Sequence, residues 1–467
     1  MVEKRDIVII GGGPGGYLAA MRGAQLKKRI TLVEEDRVGG TCINYGCIPT
    51  KYLLHQTKVL KEVAGLRTFR GPVDQISLDW TKLQQGRSSI VDRLVRGIVF
   101  LLEKGKVEIV QGAARLREDK TVKIHTAEGE KTYEGEKIIV ATGSRAASLP
   151  FLRPDGRTVV TSREALEFKE FPKSLLVVGA GAIGLELGSI YRRLGAEVTV
   201  LEILSGILPG ADRETAGRLD RVLKKYGPRV LVRMRIEEAQ VADGGVTLKG
   251  TSLSDNSAFE FRAEKCLLAA GRKPNTEGLF DGPPFLETDR GGFIKVDERL
   301  ETRVPGIFAI GDVVGGKLLA HKAYYEGVVA VENASGFVRR TDYRAVPMAV
   351  FTEPEFASVG LTGEEAAEKG TKIQSGVFPL QASGRAMTMD APDGIVKIVA
   401  DEEDTVIGAH LLAPGASDMI PVLTMAVSRR MKLKDVAELI YVHPSFSEAV
   451  GEAALKAKGE ALHVLND

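Results

Sequence analysis

Two stretches of this chain follow one plan, and that plan admits few folds. Asp6–Ile10 reads as a buried parallel strand entering Gly11-Gly12-Gly13-Pro14-Gly15-Gly16. A helical pattern follows from Tyr17 to Leu26, and a second strand, Ile30–Val33, ends at Glu34. The order returns as Leu175–Val178, Gly179-Ala180-Gly181-Ala182-Ile183-Gly184, a helical stretch to Leu194, then Val198–Leu201 and Glu202. Gly11, Gly13, Gly16 and Glu34 thus recur 168 residues on as Gly179, Gly181, Gly184 and Glu202. Each copy closes with another apolar strand and a small-residue turn, at Ile138–Gly143 and Leu267–Gly271. A glycine run alone is often just a turn. Strand, glycines, helix, strand and acid in this order specify a dinucleotide site, because the glycines let a pyrophosphate approach the helix N-terminus and the acid accepts from ribose hydroxyls. The chain is therefore expected to be α/β, with two Rossmann-like domains in tandem.

Two of the three cysteines, Cys42 and Cys47, lie in Gly39-Gly40-Thr41-Cys42-Ile43-Asn44-Tyr45-Gly46-Cys47-Ile48-Pro49-Thr50-Lys51. Five positions of ideal helix rise roughly 7.5 Å, long for a disulfide, whose Cα atoms usually sit within about 7 Å. A distorted turn at Gly46 closes the gap. Pro49 suits the first turn of a following helix, whose dipole stabilises a thiolate just before it. Such a pair can be a structural disulfide or two buried thiols; the flanking glycines, the proline and the early position favour a redox pair. Cys266, inside an apolar strand, reads as a buried hydrophobe.

Length supports about three domains, and 467 residues with a net charge of +2 give no reason to expect nucleic acid or an anionic membrane as partner. Lys27-Lys28-Arg29 reads as a solvated loop. No apolar run nears the ~20 residues of a membrane span, no secretory signal is evident, and no metal is expected. The expected location is the cytoplasm, where a disulfide that cycles is catalytic. Spacing predicts helices over Leu53–Leu66 and Ser88–Lys104, strands at 108–112 and 121–126, and core packing for Trp80. His55 and His125 are given no chemistry. Arg272-Lys273-Pro274-Asn275 is expected to be a turn. Beyond Tyr343 the pattern becomes strands at 345–352, 376–380, 395–400 and 406–412, then helices at 418–431 and 436–440.

The motif G-G-T-C-I-N-x-G-C-I-P-T-K resembles the redox motif of the two-cysteine flavoprotein disulfide reductases, and the resemblance runs from Asp6 to about Leu455. It implies an FAD-binding domain at 1–145, an NAD-binding domain at 146–271, a return to the flavin domain at 272–342 and an interface domain at 343–467. It places Thr41, Thr142, Gly143, Ser144, Gly271 and Ala320 at the cofactors. Ile307–Asp312 is similar to the second flavin motif, with Asp312 at the ribityl or phosphate region; His321 takes a supporting role. Lys51 and Glu186 resemble a pair beside the isoalloxazine. Glu202 favours the free 2′-hydroxyl of NAD over the phosphate of NADP. Cys47 would contact the flavin and Cys42 exchange with substrate. Tyr441–Glu448 resembles the terminal H-P-x-x-x-E signature, implying His443 as base, Glu448 as its orienting acid, and an active site shared across a homodimer.

Glu353–Gly360 and Gly408-Ala409-His410 are similar to the lipoamide-linked branch. That implies oxidation of dihydrolipoamide on the lipoyl domain of a 2-oxoacid dehydrogenase or glycine cleavage complex. Two features depart from the pattern: Tyr45, where the family more often has an aliphatic or basic residue, and Tyr441, where histidine is common. Competing readings are a glutathione reductase-like enzyme, disfavoured by the missing arginines after Glu202 and by Ala449 following Glu448, and a non-catalytic flavin-bound scaffold. Mercuric reductases carry a further terminal cysteine pair, and the soluble transhydrogenases lack the full pair present here.

Overall fold

Ile7, Val8, Ile9 and Ile10 are all buried, so the last four residues of the first strand have no solvent face, as a central parallel strand requires. The computed structural model describes residues 2–65, 78–242 and 244–466. In it β1 (Val2–Ile10) lies between β2 (Ile30–Glu34) and a later strand at Gly129–Val140, parallel to both. The sheet extends through Glu108–Gln111 beyond β2, while Ile307–Ala309 adds in parallel beside residues 138–140. Antiparallel strands Thr121–Thr126 and Ala113–Leu116 complete seven. The chain therefore comes back to the first domain after leaving it.

The second copy forms a five-stranded, all-parallel sheet in the order Arg229–Leu231, Glu197–Leu201, Ser174–Val178, Lys265–Leu268, Val159–Val160. Its first four positions repeat the order of the first sheet. Cys266 sits fully buried there, and burial pushes its thiol up to about 12, consistent with packing only. The final domain is a five-stranded antiparallel sheet, in which Glu355–Gly360 and Val406–Ala413 pair centrally, covered by helices Ala416–Ser428 and Glu448–Ala457.

Several local expectations shift. Arg272–Pro274 is a strand rather than a turn, pairing antiparallel with Ser144–Ala146. This ribbon joins the two dinucleotide-binding domains. The helix expected from Leu53 begins at Cys47, and Leu66 lies outside the described residues. The helix expected from Ser88 begins at Trp80, because the Asp79 side chain caps it by accepting from Lys82 N at 2.9 Å. Of 345–352 only Met348–Val350 is strand, and the later helices run Ala416–Ser428 and Leu433–Ala437. Trp80 is half-buried, donating from Nε1 to Phe168 O at 2.9 Å.

The second and last domains are pinned together by ions. Asp212, fully buried, caps helix Arg213–Tyr226 through Thr215 N and accepts from Lys397 Nζ at 2.8 Å across the domain boundary. Lys397→Met leaves that carboxylate buried without its cation, which costs about 3–5 kcal/mol. The expected result is a lower urea midpoint for Lys397→Met, largely restored in Lys397→Met/Asp212→Asn; equal midpoints for wild type and Lys397→Met would contradict it.

Candidate active site

The glycine turns of the two copies superpose in their constraints. Gly11 and Gly179 hold φ of +107° and +109°, and a Cβ on Gly16 or Gly184 would meet the carbonyl oxygen of Gly11 or Gly179 at 1.8 or 2.0 Å. Helix α1 (Pro14–Gln25) thus sits hard against β1, leaving its first N–H groups to an anionic ligand. Each acid is locked in the same way. Glu34 accepts from Gly12 N at 2.6 Å and Asp36 N at 2.9 Å, and Glu202 from Ala180 N at 2.8 Å and Leu204 N at 2.9 Å. Every carboxylate oxygen keeps lone pairs for a ribose hydroxyl. Burial holds Glu34 above the ordinary carboxylate range.

At the ends of neighbouring strands the structure joins residues that the sequence separates. Ser144 Oγ donates to Asp312, and Arg272 Nε donates to Ser144 Oγ at 2.7 Å. Thr142 Oγ1 donates to Asn275 O at 2.7 Å, and Asn275 N donates to Gly143 O at 3.0 Å. Arg272 and Asn275 carry no motif of their own, so only pairing across the ribbon identifies them. Below Asp312, Glu326 is fully buried and accepts from Gly311 N at 2.7 Å and Tyr343 OH at 2.6 Å, with Lys322 Nζ 2.7 Å away. Gly271 has φ +124° at the mouth of the second sheet. Ala320 starts its helix half-buried; His321 is exposed, with Nε2 2.6 Å from Pro347 O, so its ring is engaged with the last domain.

The cysteine segment is two helices broken at one residue. Helix α2 (Gly40–Tyr45) ends at Gly46, where φ −147° and ψ −107° interrupt the spiral, and α3 (Cys47–Gly65) starts at Cys47. That break brings the two side chains within hydrogen-bonding contact, as free thiols, and puts Cys47 at a helix N-terminus. Asn44, buried, ties the segment down by donating to Val38 O at 3.2 Å and Gly40 O at 3.0 Å. Thr41 is exposed at the start of α2. The Cys42 contact lowers Cys47 to about 7 against the effect of burial, with Lys51 helping, while Cys42 is pushed well up by the same contact and by burial. The two sulfurs are therefore unequal. Lys51 Nζ pairs with Glu186 Oε2 at 2.8 Å.

His443 Nδ1 lies 2.7 Å from Glu448 Oε1, and Glu448 Oε2 accepts from Ser445 N at 2.7 Å. Burial works to raise Glu448, but the Ser445 N–H and His443 hold it below its usual range. The ring is exposed and its Nε2 is turned away from Glu448. Among the described residues no hydrogen bond joins His443 to either cysteine. No His, Cys, Asp and Glu cluster able to hold a metal occurs among the described residues, and no helix there is long and apolar enough to cross a membrane.

Residues 5–327 match the pyridine nucleotide-disulphide oxidoreductase family and residues 346–454 its dimerisation domain, so the chain belongs to that family. It binds FAD and NAD, for which the two glycine cradles and their locked acids are fitted. Its relatives include dihydrolipoyl dehydrogenase of Thermus scotoductus, 42% identical over 100% of both chains, and the mitochondrial dihydrolipoyl dehydrogenase of Pisum sativum, 40% identical over 99% of this chain and 93% of the other. Among solved structures, the HOCl-induced flavoprotein disulfide reductase RclA of Escherichia coli, as its Cu(II) complex, has a TM-score of 0.86 at 28% identity over 97% of this chain and 99% of the other. LpdA of Mycobacterium tuberculosis gives the same values.

Because Lys51 helps to hold Cys47 low, Lys51→Met should raise its thiol by about one pH unit. Thiolate absorbance against pH in Cys42→Ser and Cys42→Ser/Lys51→Met checks this. Coincident titrations would contradict it.

Proposed function

We propose that this chain oxidises dihydrolipoamide, carried on the lipoyl domain of a 2-oxoacid dehydrogenase or glycine cleavage complex, to lipoamide with NAD as acceptor. The reading rests on the pair Cys42 and Cys47, brought together by the Gly46 break at the start of helix Cys47–Gly65, between the glycine turn at Gly13 and the helix of the second cradle. Full-length likeness to dihydrolipoyl dehydrogenases supports the substrate.

The chemistry follows from the thiols. His443 Nε2 takes the proton of one substrate thiol, and Glu448 at Nδ1 fixes the tautomer and steadies the imidazolium. The substrate thiolate attacks Cys42 Sγ, the Cys42–Cys47 bond breaks, and Cys47 leaves as thiolate, stabilised by the helix N-terminus that it opens and by the Lys51 charge. The second substrate thiol then displaces Cys42 from the mixed disulfide. Lipoamide is released, and Cys42, the more basic sulfur, takes the proton. FAD, when bound, passes the two electrons from the dithiol to NAD.

His443 lies just before helix Glu448–Ala457 of the dimerisation domain and Glu448 opens that helix, both remote in sequence from Cys42. Around them Ile440 and Val442 are 101% and 77% exposed, apolar groups that a second copy would cover. The base would then serve the partner subunit's disulfide across a two-fold axis.

His443→Gln should keep FAD yet lose roughly two or more orders of magnitude in dihydrolipoamide oxidation, the worth of a general base, and Glu448→Gln should cost less. Mixed dimers of Cys42→Ser and His443→Gln subunits should regain activity. Mixed dimers that form and stay inactive would defeat the shared site.

Selectivity has its own check. Glu202 is buried, with both oxygens on backbone N–H groups, and Ile203 and Leu204 beside it are exposed and apolar. A 2′-phosphate would meet a fixed negative charge, so kcat/KM should be far higher with NAD than NADP. Glu202→Gln with Ile203→Arg should narrow the gap; a wild type preferring NADP would refute the assignment.

A further inference from the structure

Between the two cysteines lies a side chain that the sulfur chemistry does not use. Tyr45 closes α2, and its ring centroid is 3.7 Å from the guanidinium carbon of Arg163. Arg163 Nη1 is 3.0 Å from Asp36 Oδ2, and Tyr45 OH donates to Asp36 Oδ1 at 3.2 Å. Each of the three thus touches the other two. They come from three places: the turn after β2, the end of α2, and the short helix Ser162–Leu166 of the second dinucleotide-binding domain.

Two of the three are anchored from behind. Asp36 N donates to Glu34 Oε1 at 2.9 Å. The Ser162–Leu166 helix is closed by a Thr161–Glu164 capping box, and Tyr191 OH donates to Ala165 O. Immediately after Tyr45 comes the Gly46 break. The ring is therefore gripped at the one point where the backbone between the sulfurs departs from helical geometry.

We infer that Arg163 is a positioning residue for the redox segment: with Asp36 it clamps Tyr45, and the clamp keeps the reduced Cys42 and Cys47 in the arrangement that closes to a disulfide. This rests on the redox reading of the pair. Oxidation removes two electrons and two protons from the dithiol, forms one S–S bond, and converts lipoamide to dihydrolipoamide. A dithiol already held in place gives up less freedom on closing. The clamp therefore favours the disulfide, and releasing it raises the potential of the pair.

The test equilibrates FAD-loaded enzyme anaerobically at set dihydrolipoamide-to-lipoamide ratios, quenches with acid, alkylates, and counts thiols at Cys42 and Cys47 by mass. Tyr45→Leu and Arg163→Leu should each reach half-reduction at a ratio roughly three- to tenfold lower than wild type, the scale of one cation–π contact. For a two-electron couple that is a rise of about 14–30 mV. The double variant should shift no further than the larger single, because one clamp is lost only once. Tyr45→Phe, which keeps the ring, should retain most of the wild-type value. Arg163→Lys keeps the charge but loses the planar stack, so it should give a partial shift and serves if the leucine variants fail to fold. Shifts under twofold, shifts of opposite sign, or singles that add would overturn the clamp while leaving the redox pair intact. A wild type whose two thiols do not respond to dihydrolipoamide would overturn the redox reading and the clamp with it.

Discussion

Glu186 is 5% exposed, yet it answers to three parts of the molecule. Its Oε2 accepts from Lys51 on the helix that begins at Cys47, and its Oε1 accepts from Phe351 N, at 2.9 Å, in the last domain. Glu186 itself belongs to helix Ala182–Arg193, whose N-terminus faces the second dinucleotide cradle. Lys51 Nζ also lies 4.5 Å from the Phe351 ring centroid. Burying a carboxylate is costly unless its oxygens are satisfied. Here they are, by one cation and one backbone donor, so the three domains can meet only in the arrangement that supplies both. The same ammonium then acts on Cys47. Domain placement and sulfur reactivity therefore share one ion pair.

The duplicated cradles show how little sequence is needed to fix a binding turn. A strand running into a helix must turn within a few residues, and the carbonyl of Gly11 or Gly179 then lies where any side chain at Gly16 or Gly184 would be. The acid at the end of the next strand holds the turn from the other side through one N–H. What differs between the copies is their company. Gly40, at the start of the cysteine segment, packs on Gly13 of the first turn, whereas α3 packs on the helix of the second copy, where exposed Ile203 and Leu204 follow the acid.

Much of this was legible in the chain because it depends on near neighbours. The paired fingerprints, the break at Gly46, the thiolate site at the start of a helix, and the His443–Glu448 spacing are all set within a few turns of sequence. The rest was not legible because it depends on partners that only the fold brings near. Arg272-Lys273-Pro274-Asn275 has turn composition, yet Arg272–Pro274 is drawn into strand by Ser144–Ala146 over a hundred residues earlier. Arg272 meets Ser144 and Asn275 meets Thr142 only through that ribbon. The early starts at Cys47 and Trp80 follow from a helix N-terminus at the redox turn and a cap at Asp79, which apolar periodicity does not register. His321, expected in a supporting role, has its Nε2 at the Pro347 carbonyl, a long-range contact no local pattern carries.

In the proposed reaction electrons from dihydrolipoamide pass through Cys42 and Cys47 to NAD. It is tested most directly by adding one equivalent of dihydrolipoamide per subunit to the oxidised, FAD-loaded enzyme without oxygen, and following absorbance and thiol content before and after NAD is added. Two new alkylatable thiols, at Cys42 and Cys47, are expected with a long-wavelength thiolate–flavin absorbance, and both should be lost when NAD is supplied. An enzyme that gains no thiols at these positions, or whose new thiols persist with NAD and vanish with NADP, would contradict it.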